Sequence, residues 1–125
     1  MEKNYLDLKD ISSHKISFDL SNYIWDVVVK WDSFAKYSIG KQFVEAADSI
    51  SANIAEGFGR YFKKDKINFY RYSFGSAKEC QDWVAKAKHR KLVSETEYNY
   101  ISKGVDKLPL ELHKLIKFTN EKLKI

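Results

Sequence analysis

A single cysteine, Cys80, leaves this 125-residue chain without an intramolecular disulfide, and a lone thiol suits a reducing cytoplasm. One proline and five glycines are too few breakers for a chain of many turns, which favours long helices. No run approaches the ~18 apolar residues of a membrane span. The opening Met1-Glu2-Lys3-Asn4-Tyr5-Leu6-Asp7 carries acids without an apolar stretch, unlike a signal peptide. The histidines, His14, His89 and His113, are isolated, and no pair has the four-residue spacing with which a helix holds zinc. No Glu is followed three residues later by His, the motif of di-iron bundles, and Glu111 and His113 fall on different helix faces. No G-x-S-x-G and no phosphate-cradling glycine loop before a lysine is present. These absences predict a cytoplasmic protein with no metal, no cofactor, no membrane contact and no enzymatic activity.

What is present is apolar periodicity. Apolar residues make up 44% of the chain, enough to bury the core of one domain. Their spacing predicts helices over 13–30, 33–57, 64–92 and 95–123, after an N-terminal arm over 1–12. Ile16, Leu20, Ile24, Val27, Val28 and Trp31 mark the first stripe; Ile39, Phe43, Ala46, Ala47, Ile50, Asn53, Ile54 and Gly57 mark the second. Tyr70, Ser73, Ala77, Cys80, Val84 and Ala87 form the third, and Tyr98, Ile101, Val105, Leu108, Leu112, Leu115, Ile116, Thr119 and Leu123 the fourth. Asp10, Ser12 or Ser13 is expected to cap the first helix and Asp32 or Ser33 the second. Ser94 with Glu97 has the form of a capping box for the fourth. Pro109 lies inside that helix, where the unbroken stripe predicts a bend and not a stop. Short connections make consecutive helices antiparallel neighbours. The expected fold is all-α, an antiparallel up-down-up-down four-helix bundle.

The net charge of +5 is unevenly placed: residues 63–91 carry +6, residues 1–62 −2 and residues 92–125 +1. Lys63, Lys64, Lys66, Arg71, Lys78, Lys86, Lys88, Arg90 and Lys91, with Arg60 just before them, are therefore candidate phosphate-binding residues. A solvated lysine-rich face is the competing account.

The stretch Ser49-Ile50-Ser51-Ala52-Asn53-Ile54-Ala55-Glu56-Gly57-Phe58-Gly59-Arg60 is the most distinctive of the chain. The second stripe puts Asn53 on a buried face, where an amide needs partners, and Gly57 where a left-handed residue can end a helix. Asn53, Glu56, Gly57, Gly59, Gly75, Ser76 and Glu79 admit two accounts. Structurally, Asn53 satisfies backbone groups, Glu56 pairs with Arg60, and Gly75 with Ser76 lets helices approach closely. Functionally, the group forms a pocket or groove for a phosphate, with Arg60 as donor. The structural account is preferred. Cys80 sits on an apolar seam, which predicts core packing and not catalysis.

The order Gln42, Ala46-Ala47, Ser49-Ile50, Asn53-Ile54-Ala55-Glu56-Gly57, Gly59-Arg60, then Gly75-Ser76-Ala77 with Glu79, resembles the four-helix-bundle proteins encoded in intervening sequences of bacterial 23S ribosomal RNA genes. The resemblance runs from about Ile11 to Leu123. It departs at Glu45, where members usually carry a basic residue, and at Trp31-Asp32, where they commonly have a Phe-Pro step. Proteins of that family are similar in fold to the accessory proteins of diversity-generating retroelements, which are basic, ring-forming and associated with a reverse transcriptase. The resemblance thus implies a ring-like homo-oligomer, commonly a pentamer.

Phe69, Tyr72 and Trp83 give the third helix a second apolar side, near Ser76 and Glu79, and a helix apolar on two sides usually meets something outside its own bundle. Subunit contact is the expected use, with base stacking the alternative. Two functions follow as expectations. One is a non-enzymatic, homo-oligomeric bundle that binds structured RNA or duplex DNA through phosphates. The other is a scaffold docking onto a partner protein such as a polymerase or reverse transcriptase.

Overall fold

The computed structural model describes residues 7–125; of the expected arm, residues 1–6 lie outside them. A single 3-10 turn, Leu8–Asp10, leads into helix α1, Ser12–Val28. Helix α2 is one continuous run of three stretches, Ser33–Ala35, the π-type turn Lys36–Gly40, and Lys41–Gly59. Helix α3 spans Lys63–His89 and α4 spans Glu95–Lys122, unbroken through Pro109. Each helix packs on its two neighbours in the order α1, α2, α3, α4 and back to α1, the arrangement of an up-down-up-down four-helix bundle. The described residues contain no strand, and no helix among them is long and apolar enough to cross a membrane.

The four stripes meet in one core. Leu20, Ile24, Phe43, Ile50, Ile54, Tyr70, Ala77, Cys80, Ile101, Leu108 and Leu112 are all at most 2% exposed. Ser73 shares this interior because its Oγ donates to the carbonyl of Ile50 at 2.7 Å, tying α3 to α2 and meeting the demand that a buried hydroxyl find a partner. The last member of the fourth stripe, Leu123, lies past the helix end and is 38% exposed.

The helix ends separate expectation from outcome. Asp32 caps α2 by accepting from the Ala35 amide at 3.1 Å. Ser94 and Glu97 form the reciprocal capping box of α4. At α1 none of the expected residues holds the N-cap position. Ile11 holds it, buried in the core and with no polar side-chain atom to cap with, and Ser12 donates to Glu111 on α4.

Gly57 corrects a second expectation. No glycine of the described residues has a positive φ, and α2 runs past Gly57 to Gly59. Its missing side chain serves packing: a Cβ there would stand 2.8 Å from Tyr70 Cε1 and 2.9 Å from the Lys66 carbonyl oxygen. Gly40 does the same at the other end of α2, where a Cβ would lie 2.8 Å from Val28 Cγ1. Gly75, expected at a close helix contact, faces open space.

The residue that does turn left-handed is Lys91, at φ 60°. It follows α3 in a Schellman arrangement, with the Leu92 amide donating to the Ala87 carbonyl at 2.8 Å and the Lys91 amide to Lys88 at 3.0 Å. A lysine there bears the steric cost of a Cβ that glycine avoids. Lys91→Gly is therefore expected to raise stability by up to about 1 kcal/mol. A urea midpoint below that of the wild type would refute the assignment.

Candidate interaction faces on the second and third helices

At roughly 100° per residue, Gln42, Ser49, Asn53, Glu56 and Arg60 fall on one flank of α2. Phe69, Tyr72, Ser76, Glu79 and Trp83 fall on one flank of α3. The structure turns these two flanks toward each other across a single outer groove. Arg60 joins them: its Nε donates to Glu56 Oε2 at 3.1 Å while its guanidinium lies 4.7 Å from the centre of the Phe69 ring. Phe69 meets Tyr72 edge-on at 5.5 Å. Further along, Trp83 Nε1 donates to Glu79 Oε2 at 2.9 Å. Lys86 sits 4.8 Å over the Trp83 ring and pairs with Asp82 at 2.7 Å. Aromatic rings, cations and acids thus lie next to one another along the groove.

Two of the motif residues behave differently from the structural account. Asn53 is half-buried and makes no side-chain hydrogen bond among the described residues, so it does not satisfy the helix end. The stripe misplaced it because its position is on the rim of the α2–α3 contact and not at its centre. Ser76 is half-buried beside it in the groove, likewise without a partner among the described residues. Gly59 and Gly75 lie in the open, while Gly57 is buried. Ser73, one turn before the expected Ser76, supplies the interhelical hydroxyl; its place on the apolar seam was the available signal.

The ten basic candidates divide by what they touch. Lys63 Nζ donates to the carbonyls of Asn120 and Leu123, both at 3.2 Å. Lys66 donates to the Phe58 carbonyl at 2.7 Å at the end of α2, and burial lowers its pKa. Arg60 and Lys86 are paired within the groove, and Lys88 lies 4.1 Å over the Tyr98 ring. The remaining five, Lys64, Arg71, Lys78, Arg90 and Lys91, are exposed and have no carboxylate partner among the described residues, although Lys78 lies 5.5 Å over the Phe74 ring. Lys64, Arg71 and Lys78 recur every seven residues, so they form a ridge along the outer side of α3 with steps of about 10.5 Å.

Cys80 is fully buried, and burial pushes its thiol up to about 12, with Glu79 and Asp48 acting in the same direction. A thiol so placed is not the thiolate that nucleophilic chemistry needs. No cluster of three metal-ligating side chains occurs among the described residues. A depression beside the start of α1, about 170 Å³, is bounded by Ile11, Ser13, Glu111 and Phe118, below the ~300 Å³ at which small-molecule sites begin.

A family model for 23S rRNA-intervening sequence proteins matches residues 9–114. Among solved structures, a crystal structure of a protein with unknown function from the S23 ribosomal protein family of Bacteroides thetaiotaomicron superposes with a TM-score of 0.79. The match covers 87% of this chain and 98% of that one at 21% identity; at that level the likeness establishes the fold alone. No curated protein matches the chain.

Proposed function

Given that the chain belongs to the 23S rRNA-intervening sequence protein family, we propose that it is a non-enzymatic bundle that assembles with copies of itself and binds structured RNA or duplex DNA through phosphates. The observation that carries the binding half is the ridge of Lys64, Arg71 and Lys78. These three cations have no carboxylate partner among the described residues and stand on the segment that holds the positive excess of the chain. Repetition of one ridge around an assembly multiplies weak phosphate contacts. Sequence-independent binding is expected, because phosphate contacts carry no base information.

Replacing Lys64, Arg71 and Lys78 together by Glu should leave the fold intact, since exposed substitutions of this kind usually change stability by no more than about 0.5 kcal/mol. Binding to mixed-sequence duplexes should weaken for all sequences alike. The slope of log K against log salt should shrink by roughly 0.9 for each lost contact on B-form DNA. Undiminished binding of the triple variant between ~0.05 and ~0.2 M salt would remove the electrostatic reading.

A second reading is favoured by the aromatic groove between α2 and α3: a scaffold whose groove receives a partner protein such as a polymerase, with the charge serving solubility. Wild-type protein that binds neither RNA nor DNA at ~0.15 M salt would select it.

A further inference from the structure

Gly75 stands inside the 27-residue helix α3, and nothing in the bundle calls for a glycine there. A helix interior disfavours glycine against alanine, because glycine has more backbone freedom to lose. The other glycines are accounted for. A Cβ at Gly40, Gly57 or Gly104 would come within 3.1 Å of a neighbouring atom, and Gly59 is the last residue of α2. At Gly75 a Cβ would meet nothing within 4 Å. Its φ is not positive, so backbone conformation does not require glycine either. The position is exposed and lies nearly opposite the buried seam of Tyr70, Ala77 and Val84 at the angular step of a helix. What remains is the use of glycine to let something outside the chain approach the backbone closely.

The charges around it decide what approaches. Arg71 precedes Gly75 by four residues and Lys78 follows it by three, so the two cations bracket the bare turn at about 6 Å and about 4.5 Å along the axis. Lys78 folds over the ring of Phe74, the residue next to Gly75, at 5.5 Å. The acids of this stretch are engaged elsewhere: Glu79 Oε2 accepts from Trp83 Nε1 at 2.9 Å, and Asp82 Oδ2 pairs with Lys86 Nζ at 2.7 Å. Bare backbone between two cations without carboxylate partners suits an anion wide enough to touch all three. An apolar helix of another protein would gain nothing from the pair and would have to desolvate it. Resting on the reading that the ridge binds nucleic acid, we infer that Gly75 is the saddle of that ridge, where the sugar-phosphate strand of a duplex crosses α3 with a phosphate between Arg71 and Lys78. Arg71 offers the planar fork that matches a phosphate, and Lys78 a point charge. The glycine lets the strand sit against the helix, within reach of a Cα–H contact. A side chain at this position would hold the strand off and lengthen both cation contacts.

Gly75→Ala and Gly75→Leu test this by separating stability from binding. Both new residues favour a helix over glycine, so the urea midpoint of each variant is expected at or above that of the wild type. The probes are a mixed-sequence DNA duplex and a mixed-sequence RNA hairpin at ~0.15 M salt. Binding is expected to weaken about fivefold for alanine and by more than about tenfold for leucine, the order of an overpacked contact. The slope of log K against log salt should stay at the wild-type value, because every cation is still present. Undiminished binding by Gly75→Leu, where the triple variant at Lys64, Arg71 and Lys78 loses binding, would overturn the saddle and leave the ridge standing. A change of mass in light scattering for Gly75→Leu would also overturn it, since the glycine would then serve a contact between proteins. Wild-type protein that binds neither probe would overturn the ridge and the saddle together.

Discussion

Gly57→Ala should destabilise this protein by about 1–3 kcal/mol, although in most helices the same exchange is favourable. Alanine gains roughly 0.5–1 kcal/mol over glycine in a helix interior because it has less backbone freedom to lose. At Gly57 that gain is overcome by contact. A Cβ would fall 2.9 Å from the Lys66 carbonyl oxygen and 3.0 Å from Phe69 Cβ, as well as 2.8 Å from Tyr70 Cε1. Tyr70 is 2% exposed and cannot swing away, and a backbone carbonyl moves only if α3 itself shifts from α2. Gly57→Val adds two methyl groups to the same space and should cost more. Gly75→Ala is the control of opposite sign: it sits inside α3 with nothing within 4 Å of the new atom and should raise stability by roughly 0.5–1 kcal/mol. Urea midpoints at unchanged slope measure both. If both exchanges moved the midpoint in the same direction, packing at Gly57 would not be the reason for the glycine.

Alkaline pH should unfold the bundle through two buried groups. Burial pushes the Cys80 thiol from 9.0 up to about 12, and pushes the Tyr70 hydroxyl from 10.0 up to about 12 against the opposing hydrogen bond to Thr119. Both are acids held in their neutral form by the fold, with folded pKa values above the unfolded ones. Their contribution is therefore fully present below pH ~9 and is lost as pH rises toward about 12. For Cys80 alone the gap amounts to about 4 kcal/mol at its full extent, a large part of the ~5–15 kcal/mol that holds an ordinary domain together. Melting temperature should stay level up to pH ~8.5 and then fall steeply. Cys80→Ala is expected to start lower, because it leaves a small void among core side chains, but to fall less between pH 9 and pH 12. A variant whose curve parallels the wild type throughout would show that another group drives the alkaline loss.

The sequence by itself determined the features that depend on one helix at a time. Apolar spacing located four helices and their inward stripes, since a side chain every 100° or so must either enter the core or leave it. The Ser94–Glu97 box and the Asp32 cap were legible because capping is a contact within four residues. Burial of Cys80 followed from its neighbours on the seam. Tertiary structure decided what depends on the distance and rotation between helices. Gly57 and Gly75 look alike in the chain, yet only the first stands where another backbone passes within 3 Å. Lys63 and Lys66 look as free as Lys64, but carbonyls of other segments lie within reach of the first two. Asn53 lies at the rim of its face and not at the centre, which the packing of α3 on α2 and not the stripe decided. The motif of α2 and the aromatic side of α3 met in one groove because antiparallel packing turned those two flanks together. No periodicity within either helix encodes that rotation.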